Sequence, residues 1–242
     1  MSNSSRPFIW KTPLQLVENY FAKHPYPGLE EVIVGLTFCA IRTDENIVGL
    51  AFTATGPKKP PIRGKYPLAS RSWEDLLQLY LSERPTERSV GLATINALSQ
   101  TILVHDAHLT QVQTGSAWLP IVDGQQIGMI GAIHSLIKKI VQEKGEVLLV
   151  DDTVLERGHH PLPKKGVTLL STPKELAQVN HLLVTGSAVV HKGFDEILAI
   201  LSTIKGEKAL LGPSAQFLPQ AAFQDGFTVV ASSRVEQFHP LM

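Results

Sequence analysis

From Gln126 to the C-terminal region the chain alternates apolar runs of strand length with amphipathic stretches of helical period, and this alternation constrains the fold more than any other feature. Gln126 to Ile130, Val147-Leu148-Leu149-Val150, Leu182-Leu183-Val184, Ala209-Leu210-Leu211 and Val229-Val230-Ala231 are the strand candidates. Between them, Ile133 to Glu143 places Leu136, Ile137, Ile140 and Val141 on one helical face, with Gly145 as its stop signal. Phe194 to Ile204 carries Asp195 and Glu196 in its first turn, where a helix dipole favours negative charge. Uninterrupted apolar strands separated by single helices imply parallel pairing through right-handed crossovers, with both sheet faces covered. The expected unit is a Rossmann-like sheet.

The first hundred residues have a different grammar. Thr12-Pro13 opens a helix bearing Leu14, Leu16, Val17, Tyr20 and Phe21, and Pro25-Tyr26-Pro27-Gly28 ends it. Glu31 to Arg42 and Asn46 to Ala54 read as two strands of an antiparallel hairpin joined at Thr43-Asp44-Glu45-Asn46. A proline-rich loop follows from Gly56 to Pro67, then helical faces at Trp73, Leu76, Leu77, Tyr80 and Leu81, and at Val90 through Ile102. The expected division is an N-terminal α+β domain over residues 1–108 and the parallel-sheet domain over 109–242, an α/β architecture as a whole.

Composition narrows the partners. Twenty-two basic residues balance 22 acidic ones among 242, so no global field favours nucleic acid, and the short pairs Lys58-Lys59, Lys138-Lys139 and Lys164-Lys165 do not form a basic tract. Cys39 is the single cysteine, which excludes an internal disulfide and a multi-cysteine metal centre within one chain. No window approaches the ~20 apolar residues that cross a bilayer, and the first residues lack the apolar core of a signal peptide. The expectation is a cytoplasmic protein whose partner is a small molecule or metal, with neither nucleic acid nor membrane; a homodimer is compatible with the sequence.

In an open parallel sheet, ligands lie beyond the carboxyl ends of the strands. Those ends carry Gly131-Ala132-Ile133-His134, then Asp151 with His159 and His160 further on, then Thr185-Gly186-Ser187 with His191, and finally Gly212-Pro213-Ser214. Histidine thus follows three successive strands. Imidazole ligates borderline transition metals and exchanges protons near neutral pH, so His134, His159, His160 and His191 with Asp151 are candidate metal ligands, against the alternative of ordinary surface histidines. His105 and His108, at helical i,i+3 spacing, are a further pair. A dinucleotide fingerprint is not met, because Ile133 and Leu136 stand where its second and third glycines belong. Thr185-Gly186-Ser187 is equally an anion-binding nest and a tight strand-to-loop turn. Asn96, in a segment of small residues, requires a specific partner, either a ligand or a buried carbonyl. Arg63, Lys65 and Arg71 add positive charge near the proline-rich loop.

Four segments in order, Gly91-Leu-Ala-Thr-Ile-Asn96-Ala, Gly128-Met-Ile-Gly131, Thr185-Gly186-Ser187-Ala-Val-Val-His191 and Leu211-Gly212-Pro213-Ser214, resemble the domain-of-unknown-function family described as "putative heavy-metal chelation" proteins. The resemblance covers nearly the whole chain. It implies an N-terminal domain similar to the enolase N-terminal domain joined to a Rossmann-like domain. It also implies a ligand site in the interdomain cleft where Asn96 meets Gly131, Gly186, Ser187 and Ser214, with Thr185 and Gly212 beside them. His191 departs from the asparagine usual in that family, which bears directly on metal ligation. Two functions follow as expectations: binding of a transition metal, or an enzyme acting on a small anionic or nucleotide-like substrate at the strand-end loops.

Overall fold

The computed structural model describes residues 9–54, 71–106, 123–151, 162–163, 165–191, 193–233 and 235; the expected proline-rich loop and His108 fall outside them. Helix α1 (Thr12–Phe21) begins with Pro13 in its first turn and buries Leu14, Val17 and Phe21. Strands β1 (Leu29–Val34), β2 (Phe38–Thr43) and β3 (Val48–Phe52) form an antiparallel meander. The run from Glu31 to Arg42, expected as one strand, is therefore two. The chain reverses at Gly35, whose N–H donates to Phe38 O at 2.9 Å; a Cβ there would lie 2.7 Å from that same carbonyl. The β2–β3 turn falls where expected. Thr43 N donates to Ile47 O at 3.0 Å, and Asn46 takes the left-handed conformation that asparagine tolerates, with φ of 62°.

Helix α2 (Trp73–Gln78) continues as a 3₁₀ turn over Leu79–Leu81 and leads to α3 (Pro85–His105). From Arg88 to Ser99 every residue of α3 is buried, so this stretch has no solvent face. Three hydroxyls of α3 bond locally: those of Ser89, Thr94 and Thr101 donate to the carbonyls of Pro85, Val90 and Ala97, four residues back. Small residues let neighbours approach. A Cβ on Gly49 of β3 would penetrate Ala97 N and Ala93 O of α3, and one on Gly91 would penetrate Tyr80 N.

The second sheet contains β4 (Gln126–Ile130), β5 (Glu146–Val150), β6 (Val167–Leu170), β7 (His181–Thr185), β8 (Lys208–Leu211) and β9 (Val229–Ala231), all parallel, in the order β6-β5-β4-β7-β8-β9. In chain order this is 3-2-1-4-5-6, that of a doubly wound sheet. Helices α4 (His134–Gln142), α5 (Phe194–Leu201) and α6 (Pro219–Gln224) are interleaved with the strands. Alternate residues of each strand serve opposite faces: Ile127, Met129, Leu183 and Leu211 pack with Ile137 and Ile140 of α4, while Ile130, Leu182, Val184 and Leu210 join α5 and the N-terminal half. Strand β6 and helix α6 were absent from the sequence expectation. Helix α4 ends with Lys144, not Gly145, in the left-handed conformation, with φ of 63°.

A single apolar cluster runs through both halves. Trp10, preceding α1, stacks on Phe194 at 5.0 Å between ring centroids and meets Phe217 edge-on at 5.3 Å. Its Nε1 and the Thr12 hydroxyl both donate to Asp225 Oδ2, at 2.5 and 3.0 Å. Among the described residues, no helix is long and apolar enough to cross a membrane.

His181 opens β7 with only 8% of its surface exposed, and its Nδ1 accepts the Glu207 N–H at 2.8 Å. That bond fixes the neutral ring as the Nε2–H tautomer. Burial lowers its pKa below the ordinary 6.5, with Glu207 opposing.

Two outcomes are expected. Gly49→Ala forces β3 and α3 apart between two backbones that cannot yield, lowering stability by about 3 kcal/mol, read as a fall in the urea midpoint; an unchanged midpoint would disprove the close contact. For His181, the unfolded chain takes up a proton near pH 6.5 that the folded ring resists, so stability present above that pH declines as pH falls towards the folded pKa. Urea midpoints of wild type and His181→Asn, compared above and below that window, should show the larger acid loss in wild type.

Candidate functional site

Strands β4 and β7 lie side by side, and the chain winds away from them in opposite directions, so their carboxyl ends form the switch point at which such sheets receive ligands. Gly131 follows β4 with φ of 79°, and its N–H extends the ladder to Val150 O at 2.9 Å. A Cβ there would collide with the Thr185 side chain, so glycine is required on both counts. Asp151 follows β5, and its Oδ2 accepts the Ala132 N–H at 2.7 Å, tying the carboxylate to the loop after β4. Thr185 ends β7 with its Oγ1 3.1 Å from Ser187 Oγ. Because β5 and β7 flank β4, Asp151 and Thr185 stand two strand spacings apart, about 10 Å.

His134 begins α4 on the loop after β4 and is half-buried. His191 closes the 3₁₀ turn Gly186–Val190 after β7; it is exposed, with its ring centroid 6.4 Å from that of Phe52 in β3. His159 and His160 lie outside the described residues. His105 pairs its Nε2 with Glu45 Oε2 at 2.7 Å, both side chains being exposed. Among the described residues no group of three or more His, Cys, Asp or Glu side chains is placed to hold a metal ion. The described donors alone therefore do not build a closed metal centre, which takes about four protein ligands.

The remaining expected ligand residues occupy the junction between the halves. Asn96 is fully buried, and its Nδ2 donates to Leu50 O at 2.6 Å and Ser214 O at 3.1 Å. Ser214 Oγ accepts the Phe52 N–H at 2.8 Å, and Gln216 Oε1 accepts the Leu50 N–H at 2.7 Å. The Asn96 amide nitrogen thus has carbonyl partners, while its Oδ1 is buried with no partner among the described residues. Gly186 is buried against the Ser214–Ala215 backbone, where a Cβ would lie 2.7 Å from Ala215 N. Gly212, with φ of 104°, makes the turn that brings Ser214 onto β3. Asn96, Gly186 and Ser214 hold the halves together, whereas Gly131, Asp151, Thr185, Ser187, His134 and His191 lie at or beside the strand ends.

Sequence reasoning passed over two groups in this region. Arg88, only 4% exposed, donates from Nε to Val190 O at 2.9 Å and from Nη1 to Ser82 O and Glu83 O at 3.0 and 3.1 Å. Nothing in the sequence marks it: between Glu87 and Ser89 at the start of the helix, an arginine reads as a solvated residue, and the fold alone buries it. Gln216 carries no signal either. Away from the strand ends, a cavity of about 580 Å³ opens at the amino edge of the sheet beside Asn180, His181 and Lys205, and one of about 330 Å³ beside Glu45, Gln100 and Val104. Neither is lined by a strand-end candidate.

Residues 116–239 match the DUF364 family model and residues 25–99 the DUF4213 model, each described as "Putative heavy-metal chelation". No curated protein matches the chain. Among solved structures, a protein of unknown function from the DUF364 family of Pyrococcus horikoshii is similar with a TM-score of 0.71 and 18% identity, over 96% of this chain and 89% of that one. A DUF364 protein of unknown function from Desulfitobacterium hafniense has a TM-score of 0.62 and 19% identity, over 91% and 85%. At these identities the likeness is one of fold: a short antiparallel sheet followed by a six-stranded parallel one. With the family model covering more than half of its length, the chain belongs to the DUF364 family.

Proposed function

We propose that the protein binds a transition metal as an exchangeable ligand, presented as a complex with a small polar chelator, at the carboxyl ends of β4, β5 and β7. The observation that carries this reading is the succession of donors at and after neighbouring strand ends: Asp151 anchored on Ala132 N, Thr185 paired with Ser187, and His134 and His191 on the loops that follow β4 and β7. Mixed nitrogen and oxygen donors suit Zn, Ni, Cu or Fe rather than a hard cation. Fewer than three ligating side chains in one described group leaves coordination positions for the chelator's own atoms. The family description as heavy-metal chelation points the same way. The fixed Asp151 sets orientation, while the metal and chelator supply most of the bonds.

The Thr185–Ser187 hydroxyl pair supports a second reading, an enzyme acting on a small anionic or nucleotide-like substrate at the same edge. A nucleotide that raises the melting temperature in the presence of EDTA, and loses that effect in Ser187→Ala, would favour it.

Calorimetric titration of metal-free protein with Ni²⁺, Cu²⁺ and Zn²⁺, each with and without citrate as a model chelator, is expected to reveal saturable binding of at least one complex. Asp151→Ala and His191→Ala should each weaken it by at least about 10-fold. Unchanged affinity in both variants would remove the metal from this edge.

A further inference from the structure

Among the described residues His181 is the one imidazole buried by more than nine-tenths, and its hydrogen bonding leaves it a single role. Its Nδ1 accepts the Glu207 N–H at 2.8 Å, so the neutral ring carries its proton on Nε2. A protonated ring would set Nδ1–H against that same N–H, and burial already lowers the pKa. Held this way, His181 can neither ligate a metal nor take up a proton without giving up the Glu207 bond. What it offers is a donor. Nε2 has no acceptor among the described residues, and it is not among the buried side-chain atoms sealed from solvent without a partner. The ring is also locked in place by Gly206, where a Cβ would lie 2.6 Å from His181 Nδ1 and 2.2 Å from Asn180 O. Only glycine lets the loop before β8 close on the start of β7. Gly206 N and Leu182 N complete that closure, donating to Asn180 O at 3.1 Å and Glu207 O at 2.9 Å.

The open side of the ring faces the cavity of about 580 Å³ at the amino edge of the sheet, a volume in the range of small-molecule sites. Beside His181 its wall is made by Gln125, Gln178, Asn180 and Lys205. Asn180 Oδ1 accepts the Gln126 N–H at 3.0 Å, which leaves Nδ2 as the amide's donor end. Lys205 is exposed and is the only Lys, Arg, Asp or Glu among the described lining residues, so no carboxylate there opposes its charge. Glu207 counteracts the lowering of the His181 pKa, yet it turns Oε2 to the Thr228 hydroxyl at 2.5 Å and is not part of the wall. An ammonium, an imidazole N–H and an amide NH₂ around one space match a ligand that brings negatively charged acceptor oxygens.

We infer that the cavity at the amino ends of β4, β7 and β8 binds a small oxyanion-bearing molecule, a carboxylate or a phosphate, whose oxygens accept from His181 Nε2 and pair with Lys205. The loop before β8 shapes the site by holding the imidazole against Gly206. This site lies at the opposite end of the parallel strands from the donors proposed for metal and does not rest on that reading.

The test uses the full-length protein in EDTA, so that metal chemistry cannot contribute. Ring ¹⁵N and ¹H signals of histidine are followed by NMR near neutral pH. The free protein should show His181 as the Nε2–H tautomer; the Nδ1–H form would overturn the inference before any ligand is added. Titration with inorganic phosphate and, separately, succinate, against chloride at matched ionic strength, is expected to move the His181 signals saturably with a Kd near or below about 1 mM. Response to phosphate alone identifies a phosphate-bearing ligand, to succinate alone a carboxylate, and to both a general oxyanion site. Lys205→Gln, a substitution of an exposed side chain that leaves the fold in place, should weaken binding by at least about 5-fold. His181 signals that move with neither anion, or equal affinity in Lys205→Gln, would overturn the inference.

Discussion

Strand β3 is an edge strand closed by side chains instead of by a neighbouring strand, and the arrangement of the two halves depends on that closure. An open edge offers unpaired N–H and C=O groups to any other chain. Here Leu50 N, Leu50 O and Phe52 N are met by Gln216 Oε1, Asn96 Nδ2 and Ser214 Oγ. Two of those side chains follow β8, and the third projects from α3. The short sheet is therefore fixed against the loop after β8 by hydrogen bonds with defined partners, which sets the angle at which the halves meet more tightly than apolar packing alone. The same contacts cover the carboxyl end of β8. Potential ligand space is consequently displaced towards β4, β5 and β7, and Arg88 comes to lie at the border between the halves.

Much of this fold is legible in the sequence, for identifiable reasons. The central parallel strands are buried on both faces, so their apolar runs are unbroken, and β4 is readable from Gln126 to Ile130 without error. The peripheral strand β6 is short and half-exposed, and Val167-Thr168-Leu169-Leu170 carries too little pattern to separate it from a loop. Glu31 to Arg42 is rich in strand-formers throughout, which hides the reversal at Gly35. Small helices such as α6 span fewer than two turns and present hardly one period.

The candidate site divides along the same line. Residues that follow a strand, such as Gly131, Asp151, Thr185 and Ser187, are found by placing strand ends, since local chain geometry puts them there. Asn96 is recognisable as a polar interruption of a small-residue helix, although periodicity cannot distinguish a ligand from the carbonyls of Leu50 and Ser214. Gln216 and Asp225 act through bonds to residues more than 160 positions away, and such bonds leave no trace in local spacing. Burial is the only sequence-independent quantity that identifies Arg88.

The bond network joining Trp10 and Thr12 to Asp225 also sets an order of events during synthesis. Helix α1 packs in a cluster that includes Phe194, Phe217 and Phe227, so its apolar face cannot reach its final partners until the chain has been extended by more than 200 residues. At translation rates of about 5–20 residues per second, that interval is roughly 10–40 s. Throughout it, the α1 segment must remain compatible with solvent or with a holding chaperone. Helix α1 thus completes its packing only after the segment carrying Asp225 has been made, well over a hundred residues later than the helix itself.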